Sequence, residues 1–288
     1  MASFDDRDGF IWYNGKLTPW RETKVHVLSH GLHYASAVFE GIRVYNGKAF
    51  KLTEHNERLI KSGEILGFKI PYTVEELNKA TEEVIKSQGV TNGYIRPIAW
   101  RGSEMIAVSA QNCTIHVAIA TWEWPSYFGK EAKENGLKLC WAEWKRPSPE
   151  TEPTASKAAG LYMICTLSKH KAEEKGYNDA LMLDYRGYVA EATGANVFFV
   201  MNGEIHTPTP DCFLDGITRR TVIGLAKDLG YKVVERHIKP EELANATEAF
   251  LTGTAAEVTP IGNVENYKFK VGETCHKLME AFDKLVGR

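Results

Sequence analysis

The order of apolar and polar positions along the chain predicts strands with helices interspersed between them. Asn14-Gly15 and Asn46-Gly47 each follow a short apolar run and predict tight hairpin turns, because Asn and Gly tolerate the positive φ that such turns need. Thr73 opens a capping box before a segment with helical spacing, and Gly89 stands where that helix would end. Further strands are predicted at 94–100, 114–121, 137–144, 180–184, 188–191, 196–201, 232–238 and 249–252, and further helices at 160–176, 218–229 and 274–286.

The arrangement of these elements favours an α+β fold with two domains. Strands and helices do not alternate strictly, as they would in a doubly wound parallel sheet. Residues 122–132 contain a proline and a glycine and lack a clear period, which is typical of a linker. We therefore expect a small α/β domain at 1–121, a linker at 122–132 and a large domain at 133–288.

Composition and charge narrow the class of function. The 288 residues are 43% hydrophobic and 25% charged, with a formal net charge of −2, which favours a globular protein that acts on small molecules rather than on nucleic acid or membrane. The N-terminal residues lack the apolar segment of a signal peptide, and no apolar run is long enough to span a membrane. The five cysteines are odd in number and lack C-x-x-C spacing, so we expect reduced thiols, a cytoplasmic location and no metal site.

Two residues have the chemistry to work on an aldehyde cofactor. Lys157 lies between small residues ahead of a predicted helix; it is either a surface lysine or a desolvated amine able to form a Schiff base. Glu191 lies between two predicted strands; it is either a surface acid in a turn or a carboxylate that faces a pyridinium nitrogen.

Four other places are compatible with anion or substrate binding. Residues 215–220 open a helix, where backbone N–H groups could hold a phosphate, or where Asp215 or Thr218 could act as an N-cap. Residues 252–257 are small and follow a strand, as in a close backbone approach to a ligand or in a plain turn. Arg58 could be a solvated ion pair, whereas Arg96 interrupts an apolar strand and indicates an anionic partner in a cavity.

Taken in order, seven segments closely resemble the branched-chain amino acid aminotransferases. They lie at 33–43 (HYASAVFEGIR), 54–59, 94–97, 157–162, 191–196, 216–219 and 253–257. The resemblance implies a two-domain fold-type IV enzyme, similar to D-amino acid aminotransferase, with its active site between the domains and pyridoxal 5′-phosphate (PLP) bound mainly by the large domain. It implies transfer of an amino group from L-leucine, L-isoleucine or L-valine to 2-oxoglutarate. It also implies a homodimer at least.

The resemblance assigns a role to individual residues. Lys157 matches the catalytic Schiff-base lysine, Tyr162 the tyrosine beside the cofactor's phenolic oxygen, and Glu191 the acid on the pyridine nitrogen. The other cofactor-binding matches are Arg58, Asn196, Gly216, Ile217, Thr218, Gly253 and Thr254. The substrate-binding matches are Phe39, Tyr94, Arg96, Trp124, Tyr127, Thr254, Ala255 and Ala256, with Tyr34 and Val108 lent by the neighbouring subunit.

Alternatives remain within and outside this fold. A D-amino acid or (R)-amine transaminase, or a PLP lyase, would share the fold, but residues 38–43 (VFEGIR) argue against them. A non-catalytic PLP-binding protein would not need Lys157, Tyr162 and Glu191 together. The sequence departs from the family at Ala35, where glycine is common, in the loop 103–110, which is not glycine-rich, and at Arg101-Gly102, which only part of the family has. These departures touch the pocket rim and therefore the substrate range.

Overall fold

The chain folds into two compact units in a computed structural model that describes residues 3–124 and 129–288. The first unit comprises Met1–Pro125 and Ser156–Gly160, and the second comprises Ser126–Ala155 and Leu161–Arg288. The short segment around Lys157 thus separates from the large domain expected at 133–288. The reason is backbone pairing: Val38 and Ala158 form a β-bridge, and the Phe39 N–H donates to the carbonyl of Lys157 at 3.2 Å.

In the first unit, the described residues form one antiparallel sheet of seven strands, ordered β2-β1-β7-β6-β4-β5 with β3 also paired to β6. Its strands are β1 (Phe10–Tyr13), β2 (Lys16–Pro19), β3 (Ala37–Phe39), β4 (Ile42–Tyr45), β5 (Lys48–Ala49), β6 (Gly93–Arg101) and β7 (Ile115–Glu123). Its helices are α1 (His30–Tyr34), α2 (Leu52–Ile65) and α3 (Val74–Gln88), with a 3-10 turn at Trp20–Glu22.

Local sequence explains several of these boundaries. Asn14 and Asn46 adopt φ of 48° and 50° in the two hairpin turns. The Thr73 side chain accepts from the Glu76 N–H in a full capping box, and Gly89 ends α3 with φ of 63°. The predicted linker began too early, because Trp122 and Glu123 complete β7 by pairing with β6.

In the second unit, the described residues form nine strands in the order β10-β9-β8-β15-β14-β11-β12-β13, with β16 beside β15. The strands are β8 (Leu137–Trp141), β9 (Asp179–Leu183), β10 (Val189–Ala192), β11 (Asn196–Met201), β12 (Glu204–Pro208), β13 (Val233–Arg236), β14 (Ala246–Gly253), β15 (Glu257–Val264) and β16 (Tyr267–Lys268). The helices are α4 (Lys130–Asn135), α5 (Met163–Glu174), α6 (Ile217–Asp228) and α7 (Glu273–Leu285), with 3-10 turns at Ala159–Tyr162 and Pro240–Asn245.

The strands from β10 to β11 form a closed ring, because Glu191 on β10 also pairs with Asn196 on β11. Every residue of β11 is buried, as expected for a strand covered on both faces. The rings of Phe198 and Phe250 stack across β11 and β14 with centroids 5.0 Å apart. The ring of strands therefore gives Glu191 and Asn196 a rigid, well-packed support.

Three expectations for the second unit were wrong in detail. The predicted helix at 160–176 begins as a 3-10 turn, and α5 starts only at Met163. The helical spacing of 218–229 and 274–286 places Leu229 and Leu285 on the apolar faces of these two segments, which predicts that they face inward, but they are 44% and 48% exposed. Strands β12 and β15 were not predicted. Strand β15 pairs on both sides and lacks the alternation of buried and exposed positions that marks a half-buried strand. Among the helices described, none combines the length and the apolar character needed to cross a membrane.

Candidate functional site

Lys157 is held at its backbone by two contacts in the first unit. Its N–H donates to Ser62 Oγ at 3.0 Å, and its carbonyl accepts from the Phe39 N–H at 3.2 Å. Its Nζ lies 5.0 Å from the centroid of the Phe39 ring. Desolvation of the amine lowers the pKa of Lys157 below its usual value, although the negative charge of Glu40 opposes the shift. A lowered pKa makes the neutral, nucleophilic amine more available.

Arg58 pairs with a glutamate whose role the sequence did not reveal. Arg58 Nε and Nη2 donate to the two carboxylate oxygens of Glu40 at 2.6 and 2.9 Å. His55 Nδ1 lies 2.7 Å from Glu40 Oε2, and the Glu40 side chain is fully buried. Burial alone would raise the pKa of Glu40, but Arg58 and His55 lower it well below its usual range. Arg58 is therefore a fixed cation and not a solvated surface residue.

Four of the predicted substrate-binding residues, Arg96 and three aromatic residues, form one cluster in the first unit. Arg96 Cζ lies 4.8 Å from the ring centroid of Phe39 and 5.4 Å from that of Tyr94. The Tyr94 and Trp124 rings are 4.8 Å apart. Arg96 Nε is buried and has no hydrogen-bond partner among the described residues. The aromatic rings of this cluster could contact an apolar side chain, and the Arg96 guanidinium could bind a carboxylate. Tyr127 lies outside the described residues.

Tyr34 and Val108 lie on two exposed segments of the first unit, and polar contacts link these segments to each other. The Tyr34 hydroxyl donates to the Ile106 carbonyl at 3.3 Å, and His30 Nε2 contacts the Ala107 carbonyl at 3.0 Å. Tyr34 is 45% exposed and Val108 is 84% exposed. Ala35, which follows α1, has a φ of 52°. This left-handed conformation accounts for the preference for glycine at this position.

Glu191 has a different partner for each carboxylate oxygen in the second unit. Asn196 Nδ2 donates to Glu191 Oε2 at 3.2 Å and to the Leu214 carbonyl at 3.0 Å. Arg146 Nε lies 3.4 Å from Glu191 Oε1. Arg146 was not among the site residues predicted from the sequence, because it stands in a proline-rich loop without a recognisable motif. Glu191 is thus an oriented carboxylate, not a mobile surface acid.

The beginning of α6 presents backbone N–H groups without a side-chain cap. Gly216 is the N-cap residue, so no N-cap side chain accepts a hydrogen bond from this helix end. Asp215, one candidate cap, instead accepts from Arg219 and Arg220. A Cβ on Gly216 would lie 2.2 Å from Asn196 Oδ1, so only glycine fits beside that side chain. An uncapped helix N-terminus is a ready site for a phosphate.

The segment 254–256 forms the turn between β14 and β15. Gly253 and Glu257 close this turn as a pair. Ala256 is buried, whereas Thr254 and Ala255 keep part of their surface exposed. At Gly253 a Cβ would lie 3.3 Å from that of Ala195, which precedes Asn196. The turn therefore lies close to the strand that carries Asn196.

A separate cluster of possible metal ligands also lies in the second unit. In the part of the chain that is described, Asp184, Asp211 and Cys212 come close enough together to share an ion. Arg186 Nη2 donates to Asp184 and Asp211 at 2.7–2.9 Å. A guanidinium thus already pairs with both carboxylates.

Comparisons with known proteins agree on one family. The model of the family described as "Amino-transferase class IV" matches residues 37–264. The branched-chain-amino-acid aminotransferase of Pseudomonas aeruginosa is 42% identical over 99% of this chain and 95% of its own. The crystal structure of the Escherichia coli branched-chain amino acid aminotransferase has a TM-score of 0.93 and 38% identity, covering 97% of this chain and 95% of that one. The branched-chain amino acid aminotransferase of Thermobaculum terrenum, solved in its PLP form, has a TM-score of 0.87 and 31% identity, covering 96% of this chain and 93% of its own.

Proposed function

Because this chain belongs to the class IV aminotransferases, we propose that it moves the amino group of L-leucine, L-isoleucine or L-valine reversibly to 2-oxoglutarate, with PLP as its cofactor. The products are the branched-chain 2-oxo acids and L-glutamate. The observation that carries this proposal is the nearly full-length similarity to branched-chain aminotransferases, combined with the Lys157 amine of lowered pKa close to Phe39.

The residues present fit PLP. Gly216, the N-cap of α6, has no side chain to cap this helix end, so the first backbone N–H groups of the helix could bind the phosphate group of PLP. We assign the phosphate to Arg58, to the N–H groups of Ile217 and Thr218, and to Thr254 in the turn that follows Gly253. Tyr162 would hold the phenolic oxygen, and Glu191 the ring nitrogen.

The chain's own residues then account for both half-reactions. When bound, PLP supplies a carbon that accepts the amino group and a cationic ring that withdraws electrons from the substrate α-carbon. Glu191 keeps the proton on the ring nitrogen. Lys157 Nζ takes the proton from the substrate α-carbon as a base and delivers it to C4′ of the cofactor as an acid. The donor would leave as a 2-oxo acid whose new carbonyl oxygen comes from water, its amino group would stay with the cofactor, and 2-oxoglutarate would enter for the reverse sequence.

One pocket must accept both apolar and acidic side chains. Phe39, Tyr94 and Trp124 supply apolar surface, and Tyr127 is assigned to the same wall from the resemblance alone. Arg96 supplies the charge for the γ-carboxylate of glutamate. The backbone of Ala255 and Ala256 would receive the α-carboxylate that all these substrates share.

We also propose that the enzyme is at least a homodimer and that it works in the cytoplasm. Exposed apolar residues gather on the segments that carry Tyr34 and Val108, including Val27 at 70% and Leu32 at 62% exposure. Such a patch supports burial against a second copy, which would receive Tyr34 and Val108 at its substrate. All five cysteines are free and buried, which supports a reducing compartment.

Half-reaction rates with a panel of amino donors test the proposed function. We expect rapid conversion of the cofactor with L-leucine, L-valine and L-glutamate, and slow conversion with D-alanine and (R)-phenylethylamine. A preference for either of the last two would assign the chain to the alternative transaminases of the same fold. Loss of substrate without formation of pyridoxamine phosphate would indicate a lyase, and PLP binding without turnover would indicate a storage protein.

A further inference from the structure

Arg146 is a buried arginine next to the carboxylate assigned to the ring nitrogen. It is 3% exposed and lies in the loop that follows β8. Its backbone N–H donates to the Leu183 carbonyl at 2.8 Å, and Arg146 also forms a parallel β-bridge with Asp184. The main chain is thus fixed along the end of β9, the strand that pairs with the strand of Glu191.

The side chain of Arg146 reaches two further elements. Its Nε lies 3.4 Å from Glu191 Oε1 but makes no hydrogen bond within the described residues, so this contact is a charge pair. Its Nη1 donates to the Leu161 carbonyl at 3.2 Å and to Cys165 Sγ at 3.4 Å. Leu161 directly precedes Tyr162. One guanidinium therefore connects the strand of Glu191 to the turn that presents Tyr162.

The charge state of Glu191 depends on the neighbouring guanidinium of Arg146. Tyr162 and Cys165 face the guanidinium from the turn and α5, and Asp179 on β9 acts on Cys165. Burial would lower the pKa of Arg146, but the charge of Glu191, together with Cys165 and Tyr162, more than offsets this effect and raises the pKa. Asn196 supplies only a neutral amide to the other oxygen of Glu191. A partly buried carboxylate that lost a neighbouring cation would bind a proton more readily.

We propose that Arg146 is a positioning residue that keeps Glu191 ionised and oriented, so that the proton stays on the ring nitrogen of PLP and not on the carboxylate. The proposal rests on the assignment of Glu191 in the proposed function. Arg146 does not touch the reacting atoms; it acts through Glu191 and, by its bond to the Leu161 carbonyl, on the placement of Tyr162. In a carboxylate–pyridine pair, the proton goes to whichever partner is more basic, and the neighbouring cation lowers the basicity of the carboxylate.

The test uses purified holoenzyme variants loaded with PLP labelled with ¹⁵N in the ring. Arg146→Gln and Arg146→Met remove the charge, Arg146→Lys keeps it, and Arg186→Met removes another ion pair of the second unit. The ¹⁵N chemical shift reports directly whether the ring nitrogen is protonated. We expect Arg146→Gln and Arg146→Met to move the ¹⁵N chemical shift toward the value of an unprotonated ring nitrogen. Both variants should also slow the L-leucine half-reaction about 10–100-fold, as for other residues that orient a catalytic ligand. Lys should restore both readouts, and Arg186→Met should leave both unchanged.

The outcomes separate this inference from the proposed function. A wild-type ¹⁵N shift in Arg146→Gln, with a rate within about threefold of wild type, overturns the role of Arg146. If Arg146→Met does not fold, the comparison of Arg146→Gln with Arg146→Lys still tests the role of the charge, because both side chains retain hydrogen-bond donors and only lysine carries a charge. Failure of Lys to restore the shift also overturns the charge argument. Glu191→Gln serves as the reference: if it leaves the ¹⁵N shift unchanged, the assignment of Glu191 itself is wrong.

Discussion

The carboxylate of Glu40 accepts two hydrogen bonds from the guanidinium of Arg58, at 2.6 and 2.9 Å, while its side chain is fully buried. A bidentate pair of this kind restricts the arginine to one orientation. Glu40 lies beside strand β3 and Arg58 on helix α2, so the pair also joins the sheet of the first unit to its helix. Two consequences can be measured, one in stability and one in pH dependence.

We expect Glu40→Gln to destabilise the cofactor-free protein by up to about 3–5 kcal/mol at pH 7, because it removes the fully buried counter-charge of the partly buried Arg58 guanidinium. The pKa of Glu40 is lowered in the folded protein, so its contribution is present above the ordinary glutamate pKa and is lost as the pH falls through the lower folded value. The difference in the free energy of unfolding between the wild type and Glu40→Gln should therefore be smaller at pH 3 than at pH 7. Denaturant unfolding at both pH values measures it, and a difference that grows on acidification would contradict the ion-pair argument.

Lys157 should carry the cofactor covalently. After borohydride reduction of the holoenzyme, peptide mass spectrometry should find the cofactor on the peptide containing Lys157. Lys157→Ala should lower the half-reaction rate by about 10²–10⁴-fold or more, since the same amine also moves the proton. Lys171, an exposed lysine paired with Glu174, offers a matched control whose replacement should have no effect. An adduct on any other lysine would refute the assignment.

Arg96→Ala should distinguish the two classes of substrate. If Arg96 receives the γ-carboxylate, kcat/KM should fall for L-glutamate and 2-oxoglutarate by the equivalent of about 2–5 kcal/mol, and much less for L-leucine. Arg101 is the control, because Nη1 donates to Ser36 Oγ and Nη2 to the carbonyls of Leu66 and Gly67, which leaves it a structural role. Arg101→Ala should change stability without changing the preference. Equal losses for leucine and glutamate in Arg96→Ala would show that Arg96 too is structural.

Val108→Asp should weaken the proposed dimer. Val108 is 84% exposed in the single chain, and a charge there would have to be buried against the second copy. Light scattering coupled to size exclusion should show a shift toward monomer, with a parallel loss of activity. Leu229→Asp introduces the same charge at an exposed leucine at the end of α6 and should leave the mass unchanged. If the Val108→Asp mass equals the wild-type mass, the interface lies elsewhere.

Local structure and the family of this protein could be predicted from the sequence. The Thr73 capping box, the left-handed Gly89 and the two Asn-Gly turns formed as predicted, because each depends on dihedral preferences and hydrogen bonds within about four residues. The strand at 196–201 was also located correctly, because a short and nearly continuous apolar run is typical of a strand buried on both faces. The ordered motifs supplied the candidate residues, but not the contacts that give those residues their chemistry.

Only the tertiary structure brought the distant partners together. Ser156–Gly160 belongs with the first unit because Ala158 pairs with Val38, and no local signal reports such a pairing. The partners of the proposed site residues, Glu40 for Arg58 and Arg146 for Glu191, are likewise remote along the chain. Charge and burial at these positions depend on which surfaces the strands and helices remove from water. Because desolvation and ion pairing act through space, they are decided only when the chain has folded.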